Sequence, residues 1–174
     1  MVWLLVIVLS AFLAILFKWM RRALLVFAGT PLLRICGVTL FVASVFVALT
    51  AVFGGITVAT GVDKFPAGWL IGTPFCSYLI PGLILAVVVG GSAAVAVVAT
   101  LRRVNAGALT SMLAGAILLG WLVGERLILP PAAFPPQFWW LEAIYIAAGL
   151  MMVAPALTVL WAERRREFSS GRRS

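Results

Sequence analysis

The sequence predicts an all-α membrane protein: a four-helix transmembrane bundle with an additional N-terminal transmembrane helix, five spans in all. Hydrophobic residues make up 64% of the 174 residues, charged residues make up only 10%, and the mean hydropathy is +1.20. Soluble domains are about half apolar and about a quarter charged. A chain this short cannot bury so much apolar surface in its own core, so we expect lipid to cover the remainder.

Five apolar segments are long enough to test as spans, since about 20 apolar residues cross a hydrocarbon core of about 30 Å. They divide the chain into an N-terminal anchor helix, a cytoplasmic interfacial segment, a four-helix core and a basic cytoplasmic tail. A plain linker is an equal alternative for the interfacial segment. The spans cover residues 2–17, 35–60, 75–100, 104–124 and 138–161, and the four parts cover residues 1–20, 21–34, 35–162 and 163–174.

The first segment is interpreted as a retained helix rather than a cleaved signal peptide. A signal peptide carries its positive charges before the apolar run. Here the basic residues Lys18, Arg21 and Arg22 follow the run, and no basic residue precedes Val2.

The basic residues predict the orientation of the spans. Eleven of the 13 Lys and Arg residues lie at one set of helix ends, and only Lys64 and Arg126 lie at the other. The rich side is assigned to the cytoplasm. The N-terminus is then outside and the C-terminus inside a bacterial plasma membrane, a source that the Ala-, Val-, Gly- and Arg-rich composition favours. The basic tail is expected to touch anionic lipid headgroups. No aromatic–basic motif indicates a nucleic-acid partner.

The third predicted span contains a Pro-Gly pair. If the helix begins near Phe75, Pro81 removes a backbone donor and crowds the carbonyl of Ser77, four residues earlier. A kink is the expected result, with Ser77, Pro81 and Gly82 as its residues. Such a kink serves either as a packing device or as a hinge beside a small cavity.

Three short patterns resemble a widespread group of small bacterial four-span membrane proteins to which no activity is assigned. They are Gly54-Gly55, the stretch GTPFCSYLIPGLIL at 72–85, and Gly120-Trp121. The resemblance covers roughly residues 36–155. It implies a four-helix core with the first helix as an extra anchor. The sequence GVDKFPAGW departs from the acidic Gly/Ser turn that many of these proteins carry after the second span.

Small residues recur within the predicted spans and indicate close helix packing, because lipid offers no hydrophobic drive between helices. They either pack within one chain or meet a second copy or a larger membrane protein. The candidate packing residues are Gly54, Gly55, Gly90, Gly91, Gly120 and Gly124.

The sequence lacks the residues of several common reaction types. It contains no histidine, which removes the commonest acid–base group and metal ligand. Cys36 and Cys76 lie in different spans and form no CxxC pair. No phosphate-binding glycine loop or zinc pattern occurs. We therefore predict no enzyme activity, no metal and no cofactor.

One polar group is predicted at the outer ends of the spans, with Arg126 as a partner for Glu142. It is either an ion-paired closure of the bundle or a polar mouth for a headgroup, a solute or another protein. Its members are Asp63, Lys64, Glu125, Arg126 and Glu142.

Two functions follow from these observations. The first is a non-enzymatic accessory or assembly subunit that packs through its Gly/Ala-rich faces. The alternative is a small transporter or lipid-handling protein that uses the Pro81-Gly82 kink as a gate.

Overall fold

The structure, a computed structural model, describes residues 2–27, 30–62, 70, 73–129 and 139–171, with side chains from residue 14 to residue 165 within those ranges. The described chain is helical. Its elements are α1 (Val2–Val26), α2 (Pro31–Thr60), α3 (Leu79–Leu83), a π-helical segment (Ile84–Gly90), α4 (Gly91–Thr100), α5 (Val104–Ile128) and α6 (Trp139–Gly171).

Four stretches of this chain are long and apolar enough to cross a membrane, so the molecule has a helical, multi-pass membrane architecture. α3, the π segment and α4 follow one another without a break and form a single stretch, called here the third span. The four stretches are Pro31–Thr60, Leu79–Thr100, Val104–Ile128 and Trp139–Arg165. The N-terminal helix α1, predicted as a fifth span, is not among them.

The four stretches close a ring in which each packs on the next one in the chain, and α2 packs on α6. Only Leu101–Arg103 separate α4 from α5, and so short a connection makes antiparallel neighbours. The ring therefore has two ends. The Arg102 end carries the start of α2, and the Glu125 end carries the end of α5. α1 packs on α2, where Ala23 and Phe27 are buried.

The interior of the ring is built mainly from alanine and other small or aliphatic residues, in two clusters. One includes Ala51, Ala93 and Met152, and the other includes Leu40 and Val159. Small side chains let the helix backbones approach closely and gain dispersion contacts. Many larger apolar side chains point outward instead, with Phe53 66% exposed and Leu127 80% exposed. A surface of this kind is suited to lipid.

Two buried serines meet across the interior. The hydroxyls of Ser44 on α2 and Ser111 on α5 lie 3.5 Å apart, and both side chains are fully buried. Thr100, also fully buried, donates to the carbonyl of Ala96 at 2.7 Å. Every buried side-chain polar atom in the described part of the chain has a partner, as a dry interior requires.

Several helix boundaries differ from those predicted. α1 runs through the basic residues Arg21 and Arg22, and α2 already begins at Pro31, so residues 21–34 do not form a separate segment over their described part. Arg, Ala and Leu favour helix, and proline suits the first helical position. α2 ends where Gly61 adopts a left-handed conformation with φ of 69°.

The basic tail also differs from its predicted form. The sequence predicts an irregular tail beyond Phe168, but α6 continues to Gly171. Before that end, the guanidinium of Arg165 lies 3.5 Å from the centre of the Trp161 ring. This cation–π contact anchors the start of the tail to the last turn of the span.

Candidate functional site

A groove opens between α2, the third span and α5 at the Glu125 end of the ring. Its volume is about 560 Å³, which lies within the range of about 300–1,000 Å³ that is typical of ligand sites. Aliphatic and aromatic side chains form most of its wall, and Tyr78 and Glu125 bring polar groups to it. The lining residues are Val58, Leu70, Phe75, Tyr78, Pro81, Ile84, Leu85, Val88, Val89, Ile117, Gly120, Trp121, Gly124, Glu125, Ile128 and Leu129.

Two glycines of α5 create much of this space. Gly120 and Gly124 lie one helical turn apart and line the groove. A Cβ atom built on either would meet nothing within 4 Å. The sequence left open whether these glycines pack within one chain or meet another protein, and within the described chain no helix packs closely on either. Side chains at these positions would project into the groove.

The close helix approach lies elsewhere, between α2 and the start of the third span. A Cβ on Gly55 would come within 2.5 Å of the Gly82 carbonyl oxygen, and a Cβ on Gly82 would come within 2.6 Å of the Gly55 carbonyl oxygen. Ala59 and Ala86 complete the crossing, one turn further along each helix. Two small-xxx-small pairs therefore pack face to face.

The remaining predicted packing glycines fall into two groups, those that pack closely and those that do not. Gly90 packs tightly, since a Cβ there would meet Val52 at 2.6 Å. Gly91 has open space around it, and Gly54 has only Leu85 at 3.9 Å. Gly115 and Gly149, which also lie in the predicted spans, meet where α5 crosses α6. The four-residue spacing of a small-residue pair identifies a smooth helix face but does not reveal what faces it.

The Pro-Gly pair begins a helix instead of kinking one. α3 begins at Leu79, four residues later than predicted, so Pro81 lies in the first turn. Its missing N–H has no intrahelical partner there in any case. Ser77 precedes the helix and is exposed. Pro81 lines the groove, while Gly82 donates its N–H to the Tyr78 carbonyl at 3.0 Å.

The irregular part of the third span lies just beyond this pair. Residues Ile84–Gly90 form a π-helix, which widens each turn and frequently occurs at functional sites. Its residues Ile84, Leu85, Val88 and Val89 all contribute to the groove wall. The wider turn therefore shapes the side of the groove that faces α5.

Glu125 places a carboxyl group at the groove. It lies half-buried on α5 among the lining residues. Trp121 lies one turn earlier on the same helix, also lines the groove, and packs against the buried cluster of small residues. The carboxyl group and the indole therefore belong to the same stretch of groove wall.

Arg126 and Glu142 form the predicted ion pair, which joins α5 to α6. Arg126 donates from Nε to Glu142 Oε1 at 2.7 Å and from a terminal nitrogen to Oε2. The Arg126 side chain is 48% exposed and that of Glu142 26% exposed. The pair therefore sits at the rim of the bundle. Asp63 and Lys64, the other predicted members of this polar group, lie outside the described residues.

Other reactive groups are dispersed over the molecule. Free Cys36 is buried near the Arg102 end, with its sulfur 3.3 Å from the Thr158 hydroxyl oxygen, and free Cys76 is exposed near the Glu125 end. Burial raises the pKa of the Tyr78 phenol. No group of three or more His, Cys, Asp or Glu side chains that could hold a metal ion occurs within the described ranges.

The sequence suggested a small cavity beside the Pro-Gly pair only as one alternative and did not predict the groove wall on α5, although one signal for that wall is present. In the stretch GWLVGE at 120–125, Gly120 and Gly124 share one stripe of the helix while Trp121 and Glu125 share the next. A bare backbone beside a tryptophan and an acid is an unusual face for a packing contact. The sequence does not show that this stripe of α5 has no helix packed against it; only the folded structure shows that.

Known proteins provide no relative with which to compare this site. No protein-family model, no curated protein and no solved structure matches the chain. The function is therefore inferred from the groove and its side chains.

Proposed function

We propose that this protein is a non-enzymatic integral membrane protein that handles a lipid or another membrane-soluble amphiphile in the groove at its Glu125 end. One observation carries the proposal: a cavity of about 560 Å³ with apolar walls and a carboxyl group. An apolar pocket with few polar groups is the usual form of a small-molecule site. The groove lies between membrane-length helices, so an amphiphile can reach it from the bilayer.

The packing of the third span supports a preformed groove. Gly82 and Gly55 are in backbone contact, which fixes the first turn of α3 against α2. Pro81 is thereby held as part of the groove wall. In this proposal the Pro-Gly pair positions the wall, and ligands exchange through the open side of the groove.

Native mass spectrometry of protein extracted in mild detergent tests the proposal. We expect an amphiphile to remain bound to the wild type and to be lost from Gly120→Leu, because the leucine fills the groove. Gly91→Leu is the matched control, since a Cβ on Gly91 also meets nothing within 4 Å but Gly91 does not line the groove. Equal occupancy in Gly120→Leu and the wild type would contradict the proposal.

A second candidate function is that of an accessory subunit, in which a helix of a larger membrane protein occupies the same face. The open backbone at Gly120 and Gly124 favours it, since exposed small residues permit close helix approach. The same preparation separates the two candidates. A larger protein recovered one-to-one with the wild type, and released by Gly120→Leu but not by Gly91→Leu, would support the accessory role.

The orientation belongs to the same proposal. The Arg102 end faces the cytoplasm of a bacterial plasma membrane, because 11 of the 13 basic residues belong to that set of helix ends. Basic residues there would touch anionic headgroups, and the contact between Arg165 and Trp161 is suited to that interface.

α1 is proposed as a fifth span that places the N-terminus outside. It is a helix of 25 residues, and residues 2–17 carry no charge. Ile15 and Phe17 are each 58% exposed, which suits a lipid surrounding. This arrangement agrees with the resemblance to small bacterial four-span proteins, in which α1 is the added anchor. A membrane-impermeant maleimide should label Val2→Cys, made in a Cys76→Ser background, in intact cells. Labelling only after permeabilisation would contradict the fifth span.

A further inference from the structure

The groove contains one carboxyl group and no basic side chain among its described lining residues. Glu125 supplies that carboxyl group, and none of the described lining residues is Lys or Arg. Arg126, the described cation at this end of the ring, is engaged by the Glu142 carboxylate through two nitrogens. At this end of the ring, the described residues thus contain two carboxyl groups and one guanidinium.

Trp121 adds a second feature that favours a cation. Its side chain lines the groove one helical turn before Glu125. The face of an indole attracts ammonium groups, and the attraction grows where water is excluded. A carboxyl group and an indole therefore lie one turn apart at one end of a mostly apolar wall.

The remainder of the groove is suited to an apolar tail. From Glu125 the lining extends along α5 to Ile117, about 12 Å by the helix rise. Val88 and Val89 face this stretch from the third span, and Gly120 leaves room between them. A volume of about 560 Å³ fits one drug-sized ligand, which favours a single-chain molecule over a two-chain bilayer lipid.

We infer that the groove is a binding site for a single-chain amphiphilic cation, with its ammonium group at Glu125 and Trp121 and its tail against Gly120 and Ile117. This inference rests on the proposed function and adds the chemical class of the ligand. Glu125 is the residue that selects for charge, and Trp121, one helical turn away in the groove wall, offers a ring face to the cation.

Binding of two matched probes tests the inference. The full chain is reconstituted in phosphatidylcholine nanodiscs and titrated with dodecyltrimethylammonium or with neutral dodecanol, which share one tail. We expect the cation to bind about tenfold more tightly, a difference of about 1.4 kcal/mol. Glu125→Gln should abolish this preference and leave dodecanol binding unchanged. Glu163→Gln, at the Arg102 end, is the matched control and should change neither affinity.

Two further variants keep the result interpretable if Glu125→Gln folds poorly. Trp121→Phe keeps an aromatic ring but offers a cation a weaker face than an indole does, so it should weaken binding of the cation several-fold while dodecanol binds as before. Gly120→Leu should abolish binding of both probes. Equal affinities for the two probes, both lost in Gly120→Leu, would overturn the inference about charge and leave the groove function intact. If neither of the two probes binds, the groove function is overturned as well.

One more arm identifies the source of the ammonium group. Phosphatidylcholine presents a trimethylammonium group on a two-chain lipid, so the titration is repeated in nanodiscs of phosphatidylglycerol, which has no ammonium group. We expect the ratio of the wild-type affinity to the Glu125→Gln affinity for dodecyltrimethylammonium to be the same in both lipids. A tenfold gain in phosphatidylglycerol that is absent in Glu125→Gln would identify a bilayer lipid as the occupant and contradict the single-chain ligand.

Discussion

Gly55 and Gly82 show how much of this fold depends on single missing side chains. Each is the position where a Cβ atom would meet the other's carbonyl oxygen, at 2.5 and 2.6 Å. These obstacles are backbone atoms, which cannot turn aside as a flexible side chain can. Gly91 and Gly120 are equally small residues in helices, yet a Cβ on either would meet open space. The presence of a glycine alone therefore does not reveal whether that position packs against another helix.

Gly82→Ala should lower the free energy of unfolding by about 1–3 kcal/mol, because the added methyl forces α2 and α3 apart. Gly91→Ala is its control and should be neutral or stabilising by up to about 1 kcal/mol, since alanine favours helix. Both are measured by denaturation in mixed micelles, followed by circular dichroism. Equal stability of the two variants would show that the Gly55–Gly82 contact is not tight in the folded protein.

Glu142→Gln should cause only a small fall in the thermal midpoint, with the yield of folded protein unchanged. The ion pair of Glu142 with Arg126 lies at an exposed rim, where screening and side-chain entropy reduce its contribution. The fall should shrink further at high salt. A collapse in yield would instead indicate that the pair is required to assemble α5 and α6.

At the scale of elements, the apolar runs predicted five spans, and four of them correspond to helical stretches long and apolar enough to cross a membrane. The helix ends were less predictable. The length of an apolar run and the charges beside it indicate which residues lie in lipid. They do not indicate that α5 continues through Glu125 and Arg126 to Ile128, or that α3 begins only at Leu79. Those ends depend on local capping and on neighbouring helices. The groove was not predictable because it requires the π segment and α5 to be placed together.

The two helical prolines provide a test of these boundaries. Pro81 lies in the first turn of α3, where no N–H is missed, so Pro81→Ala should change the free energy of unfolding by less than about 0.5 kcal/mol. Pro155 lies inside α6 and deprives the Met151 carbonyl of its helical donor. Pro155→Ala should restore that bond and stabilise the protein by about 1 kcal/mol. If Pro81→Ala stabilised the protein more than Pro155→Ala, Pro81 would have to lie in a helix interior.

At the scale of the whole molecule, four apolar stretches close a ring with a small-residue interior and a large-residue exterior. The apolar composition predicted a large-residue exterior in contact with lipid, since only lipid could cover the outward side chains. Charge then distinguishes the two ends. The Arg102 end carries most of the basic residues, and the Glu125 end carries the groove and its carboxyl group. In the proposed orientation, the groove opens toward the outer leaflet.

The most direct test of this account is cysteine labelling in intact cells with a membrane-impermeant maleimide. Cys76 is exposed near the Glu125 end, so it should be labelled without permeabilisation, and Cys76→Ser should remove the signal. Arg102→Cys, made in the Cys76→Ser background, should be labelled only after permeabilisation. Labelling of the cysteine at position 102 in intact cells, or protection of Cys76 until the cells are opened, would contradict the four-span arrangement and its orientation.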